Sequence, residues 1–171
     1  AVMATALVGL PTAAQDVRVS SDTADAELLK RLQSELRTDA STATVFEARR
    51  QARRAAEKAE NYLNSIGYFA PDIAYSVDPS DPPIAFVRIE PGPQFQFSSI
   101  QIDTGPTPLA DTVQEALATV QTLTAGDIVL PDEIIAEEAG LIAALRALGY
   151  AEAEAMTREV LGDREGGLID L

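Results

Sequence analysis

Two pairs of adjacent carboxylates, Asp132-Glu133 and Glu137-Glu138, are the residues of this chain that could do acid–base chemistry. Paired carboxyl groups catalyse when their surroundings push the two pKa values apart, as in glycoside hydrolysis. Neighbours on a helix project about 100° apart, and the sequence shows no apolar pocket that would raise one of them. They read as a solvated helix face. The chain has no His and no Cys. That removes the commonest general base and metal ligand, any thiolate metal site and any disulfide. Asp78-Pro79-Ser80-Asp81 lacks both the ligand spacing and the Gly of an EF-hand loop, and reads as a turn. There is no glycine-rich phosphate loop. No catalytic residue, cofactor or metal is expected.

Charge is distributed unevenly. The net charge is −14 over 171 residues. Residues 1–93 hold 10 Lys and Arg against 13 Asp and Glu, and residues 94–171 hold 3 against 14. So acidic a second half is repelled by nucleic acid and by anionic lipid, and no nucleic-acid partner is expected. In the first half, Arg49, Arg50, Arg53, Arg54 and Lys58 form a basic stripe, with Glu57, Glu60 and Asp72 as counter-charges. Such stripes are ordinary on exposed helices. The functional alternative is a docking patch for an acidic partner, the second half of the same chain included.

The elements that must carry these residues occur twice. Leu63-Asn64-Ser65-Ile66-Gly67-Tyr68 and Leu145-Arg146-Ala147-Leu148-Gly149-Tyr150 are two copies of one helix ending, 82 residues apart. Gly tolerates the left-handed conformation just past a helix, and in a Schellman ending the residue after it packs back on the last turn. The partners are Tyr68 on Leu63 and Tyr150 on Leu145. These six residues are therefore structural helix stops.

The order of elements around each stop is strand, helix, helix, strand, strand. In the first unit, Asp16–Ser20 predicts an edge strand. Asp22 or Thr23 caps a helix with Leu28, Leu32 and Leu36 on one face, with Asp25 and Glu27 near its positive end. Thr38–Thr44 is a polar connector. Thr44 and Glu47 form a capping box for a long helix whose buried face is Ala48, Ala52, Ala55, Ala59, Tyr62, Leu63 and Ile66. Beyond Gly67 the period changes to two: Ile73, Tyr75 and Val77 alternate with Ala74 and Ser76. Pro79–Pro83 is a turn, and Ala85, Val87 and Ile89 mark the next strand, ended by Pro91-Gly92-Pro93.

In the second unit, Phe95, Phe97, Ile100 and Ile102 predict a strand whose phase slips at Ser98-Ser99, the mark of a bulge. Gly105–Pro108 is a loop. Val113, Leu117 and Val120 predict a short helix. Pro131 opens another that runs through Ile134, Glu138, Leu141, Ile142 and Leu145 to Gly149. By its place after Gly149-Tyr150, Ala151–Leu161 is expected to be a strand. Gly162–Gly167 is then a hairpin turn, and Leu168–Leu171 begins a last strand that the sequence does not complete. The fold class is α+β: two tandem β-α-α-β-β units, 15–93 and 94–171, each a three-stranded mixed sheet covered by two helices.

Ala1–Leu10 is apolar and is followed by small residues at Thr12 and Ala14, the pattern of a secretory signal and its cleavage site. It falls well short of the roughly 20 residues of a membrane-spanning helix. Residues 1–14 are expected to be the remnant of such a signal, with the start of the reading frame upstream of Ala1 and a mature chain beginning near Gln15.

Three passages together resemble tandem POTRA domains, and most closely those of TamA-like outer-membrane protein assembly factors (the translocation and assembly module). They are Ala56–Asp72, with Leu63-x-x-Ile66-Gly67-Tyr68-Phe69-Ala70-Pro71; Val87–Phe97; and Gly126–Tyr150. The resemblance covers about residues 16–171. It implies a scaffold at the periplasmic face of the outer membrane, without enzymatic activity, that binds unfolded outer-membrane or autotransporter polypeptides and docks a TamB-like partner subunit. It also implies a third unit and a membrane β-barrel downstream. The family's strand order places Ile73, Ala74, Tyr75, Ser76 and Val77 outermost, as a peptide-binding edge. The competing class is a small extracytoplasmic carboxylate-dependent hydrolase, under which the internal repeat is hard to explain.

Overall fold

The computed structural model describes residues 17–37, 43–105 and 108–171. The expected signal remnant at 1–14, and most of the 38–44 connector, lie outside them. Among the described residues, two three-stranded mixed sheets with four helices follow one another.

In the first unit, β1 (Arg18–Ser20), β2 (Asp72–Asp78) and β3 (Ile84–Glu90) form a sheet of order β1-β3-β2. β1 runs parallel to the central β3, and β2 runs antiparallel to it from Asp72↔Glu90 to Asp78↔Ile84. Helix α1 (Ala26–Glu35) buries Leu28 and Leu32. Its cap differs from expectation. Asp25, not Asp22 or Thr23, accepts the Leu28 N–H, at 2.7 Å. The two residues expected to cap are held elsewhere: Asp22 pairs with Arg88, and the Thr23 hydroxyl donates to Glu90. A tertiary contact outcompetes a local one of similar strength.

Helix α2 (Val45–Ser65) begins in the capping box of Thr44 and Glu47. It buries Ala48, Ala52, Ala55, Ala56, Ala59 and Leu63, while Tyr62 and Ile66 are half-buried. The small Ala side chains let the helix lie close against the sheet, over Ala85, Val87 and Ile89. The Lys58 ammonium donates to the Glu35 carbonyl, which ties α2 to the negative end of α1.

The second unit repeats the topology. β4 (Gln96–Ser99), β5 (Leu161–Asp163) and β6 (Leu168–Asp170) form a sheet of order β4-β6-β5, with β4 parallel and β5 antiparallel to β6. The β4 register shifts between Phe97 and Ser99, at the position where the hydrophobic phase slips. Helix α3 (Asp111–Val120) buries Val113 and Leu117. Helix α4 (Pro131–Ala147), with Pro131 in its first turn, buries no residue.

The segment 151–160, expected to be a strand, is not one. Strand pairing in β5 begins only at Leu161, and the hairpin turn narrows to 164–167 because Gly162 and Asp163 belong to the strand. The reason lies in the partner. Leu161 faces Asp170, the last residue of β6, so residues before Leu161 have no ladder to join. Ile100 and Ile102, expected to continue β4, and Phe95, expected to begin it, likewise lie outside it.

Candidate peptide-binding edge

β2 is an outer strand of its sheet, paired through β3 alone. Ile73 and Val77 pack against the core over α2, and Tyr75 between them is 47% exposed. Ala74 and Ser76, on the opposite face, are exposed. The five residues are thus brought together as a seven-residue strand with one free edge, and Asp72 and Asp78 stand exposed at its two ends. An outer strand carries N–H and C=O groups that no neighbouring strand takes, so it can be extended by another chain. The end charges discourage pairing with a second copy of the same strand.

The turn beyond β2 is locally built. The Asp78 carboxylate accepts the Ser80 N–H at 3.1 Å, and the Ser80 hydroxyl donates to the Pro82 carbonyl at 3.1 Å. Among the described residues no group of three or more carboxylates could hold a metal. No described helix is long and apolar enough to cross a membrane.

Two of the four carboxylates with catalytic potential have partners. Glu137 accepts from the Thr122 N–H at 2.7 Å and from the Thr122 hydroxyl at 2.6 Å, which fastens α4 to the end of α3. Glu138 pairs with Arg158 at 2.8 Å. Asp132 and Glu133 lie in the first turn of α4, where a helix favours negative charge. These are structural uses. The basic stripe on α2 finds its counter-charges within the first unit, Arg53 with Glu57 at 3.6 Å and Lys58 with Glu35 at 4.0 Å. Among the described residues, no carboxylate of the acidic second half pairs with it.

Both helix stops have Schellman geometry. Tyr68 N–H donates to the Leu63 carbonyl at 2.9 Å and Gly67 N–H to Asn64 at 3.3 Å; Tyr150 donates to Leu145 at 3.0 Å and Gly149 to Arg146 at 3.1 Å. Gly67 has φ +90° and Gly149 φ +99°. Their surroundings differ in a way that sequence reasoning missed. A Cβ on Gly67 would stand 3.0 Å from the Val129 carbonyl and 3.0 Å from Ile128 Cγ2, whereas one on Gly149 would meet nothing within 4 Å. The first stop is also a joint between the two units. The Gly67 carbonyl accepts the Phe95 N–H at 2.8 Å, and the Gln94 amide donates to the Ile66 carbonyl at 3.0 Å. Tyr68 packs on the first core, while Phe69 packs on the second, edge-on to Phe95 at 5.6 Å. The only signal in the sequence was the apolar Phe69-Ala70 after the first Gly-Tyr, against Ala151-Glu152 after the second.

Two clusters set the local electrostatics. Glu90 accepts from the Thr23 hydroxyl and, at 3.1 Å, from the Asp22 N–H, with Arg88 beside it at 3.3 Å. These bonds, the Thr23 hydroxyl first, hold its carboxyl below the usual range. Asp170 accepts from the Ser98 and Ser99 hydroxyls, both at 2.6 Å, which lowers its pKa. That pair of bonds spans the β4 bulge. Burial, and then Asp25, pushes the Tyr68 phenol up.

No protein-family model and no curated protein sequence matches the chain. Solved structures do. POTRA1-3 of the periplasmic domain of Omp85 from Anabaena superposes with a TM-score of 0.52 at 17% identity, over 91% of this chain and 58% of that one. The N-terminal domain of Omp85 from the thermophilic cyanobacterium Thermosynechococcus elongatus gives 0.50 at 16%, over 91% and 60%. The fold is that of tandem POTRA units. This chain therefore spans about three fifths of these two structures. The POTRA-like order in each unit, strand-helix-helix-strand-strand, leaves the strand after the long helix outermost, as β2 is here.

Proposed function

We propose that this chain is a periplasmic, non-enzymatic scaffold of an outer-membrane protein assembly factor, which holds extended polypeptide by strand addition to β2. The observation that carries the reading is the free outer edge of β2, with its middle exposed and its ends acidic. Backbone pairing suits a protein that handles many clients, because it does not depend on side-chain sequence. Affinity is weak, since ordering a disordered strand offsets much of what its hydrogen bonds supply. The clients are unfolded outer-membrane or autotransporter polypeptides. The finer assignment is to a TamA-like factor with a TamB-like partner subunit, supported by the three sequence passages that resemble it. Residues 15–93 and 94–171 are its two domains.

Titration of isotope-labelled protein with peptides of alternating apolar and polar residues tests the edge. Amide shifts centred on Ile73–Val77 are expected, and shifts confined to the helices would overturn it. Export is tested separately: the exported protein is expected to start within a few residues of Gln15, and an intact Ala1 on it would sink the signal assignment.

A further inference from the structure

Helix α2 carries two stripes. The inner one, with Ala52, Ala59 and Leu63, is 0% exposed against the sheet. The outer one begins at Phe46 and continues through Arg49, Arg50, Arg53 and Arg54, the i, i+3, i+4, i+7, i+8 spacing that sets side chains on one face. All of them are exposed, Phe46 by 74%. The stripe runs about 12 Å along the helix. Beyond it the same face turns to Glu57, Glu60 and Asn61.

A face shaped only by contact with water is not built this way. Arg49 stands one turn from Arg53 and Arg50 one turn from Arg54, so both i, i+4 pairs repel. Arg53 meets Glu57 at 3.6 Å, but among the described residues Arg49, Arg50 and Arg54 have no ion-pair partner. The nearest carboxylate in sequence, Glu47, is taken by the capping box. Arg and large aromatic side chains are the ones that interface centres concentrate. The acidic half of the chain does not neutralise the stripe either. Phe46 stands about 30 Å of helix away from the joint at Gly67, several screening lengths at physiological salt.

We infer that the outer stripe of α2 is a docking face for an acidic amphipathic helix of a partner polypeptide. The backbone of α2 is hydrogen-bonded within the helix, so this face recognises through side chains and not by strand addition. Carboxylates at i and i+4 of a helix recur about every 6 Å, the spacing of Arg49 from Arg53 and of Arg50 from Arg54. Each guanidinium can hold a carboxylate through two parallel N–H bonds. An apolar side chain one turn beyond the last carboxylate covers Phe46. A discrete segment suits the stripe better than an anionic membrane does. The segment feels the local patch alone, whereas the field of a membrane also acts on Glu57, Glu60 and the acidic second unit. The face is separate from the β2 edge and stands whether or not that edge binds peptide.

The test uses the full chain and a fluorescent synthetic helical peptide with Glu at i, i+3, i+4 and i+7 and Leu one turn further on. Its control has Gln in place of every Glu. Binding is read by anisotropy, and the arginine side-chain N–H signals by NMR. The Glu peptide is expected to bind about tenfold or more tighter than the Gln peptide, to weaken as salt rises, and to shift the Arg50 and Arg54 side-chain signals. Arg50→Glu with Arg54→Glu should weaken binding by about tenfold or more, and Phe46→Ala by about tenfold. These side chains are exposed, so thermal melts should not move. Arg50→Lys with Arg54→Lys keeps the charge but loses the paired donors, and should give a smaller loss. Ser76→Pro, in β2, should leave binding unchanged. Failure of the Glu peptide to bind more tightly than the Gln peptide would overturn the inference, as would equal affinity of the parent and the double Glu variant. Binding to vesicles of mixed phosphatidylglycerol and phosphatidylcholine without binding to the Glu peptide would make the face a membrane contact, and would overturn it too.

Discussion

At the scale of single residues, two glycines of the same type and φ carry different loads. Gly149→Ala forces an L-residue into the left-handed region in open space, an expected loss of about 1 kcal/mol. Gly67→Ala adds a methyl group against the Val129 carbonyl, a backbone atom that cannot swing aside, so its loss is expected at about 2–4 kcal/mol. Urea denaturation of the two variants checks the order, and equal losses would mean that the contact across the joint relaxes freely. The carboxylates of Glu90 and Asp170 act in the opposite direction to a buried acid. Their pKa values are lower in the folded chain than in the unfolded one. Their contribution is therefore complete above the ordinary carboxylate range, and is lost as pH falls through the lowered folded values. Glu90→Gln is expected to lower the denaturation midpoint at about pH 6, and the difference from the parent is expected to shrink as pH falls below the ordinary carboxylate range. A difference that persists at the acid end would show that Glu90 acts through packing and not charge.

At the scale of elements, the free side of β2 can be identified by parity. Successive N–H groups on a strand point to opposite edges, so Ala74 and Ser76 share a direction and Tyr75 has the other. Pro at the outward parity removes a donor from the open edge alone, and should weaken binding of extended peptides while the sheet stays intact. Pro at the inward parity breaks a β2–β3 bond, and should destabilise the first unit by about 3 kcal/mol. Ser76→Thr should change neither. Peptide titration beside thermal melts of Ser76→Pro and Tyr75→Pro separates the two, and identical behaviour of both would exclude edge pairing. The second unit shows the limit of propensity at this scale. Residues 151–160 occupy the place of β2, and Ala and Glu are compatible with several conformations. What decides their state is whether a neighbouring backbone is present to pair with.

At the scale of the whole molecule, the three residues after Gly67, Tyr68 to Ala70, divide their side chains between the two cores. Tyr68 faces the first and Phe69 the second. Phe69→Ala should remove about 2 kcal/mol of apolar and edge-on aromatic contact from the second core, leaving the α2 ending intact. The first unit, with the larger buried core, should then unfold after the second in a resolvable step. A single coincident transition in that variant, read by probes in each unit, would show that the remaining joint suffices to couple them.

How much was legible in the sequence follows from the range of the interactions concerned. The repeat, the capping box at Thr44, both Schellman stops, the bulge at Ser98-Ser99 and the α+β order depend on residues a few positions apart, or on a periodicity that one segment carries by itself. The sequence alone therefore determined them. The α1 cap was misassigned because Asp22 and Thr23 bond to Arg88 and Glu90, more than sixty residues away. The closeness of Gly67 to Val129 and the use of Glu137 to fasten α3 to α4 were equally hidden. Each requires two segments to meet, and which segments meet is set by how the sheets and helices pack. Tertiary structure alone decided these, because a backbone group or an apolar face acquires its partner only when the chain has folded back upon itself.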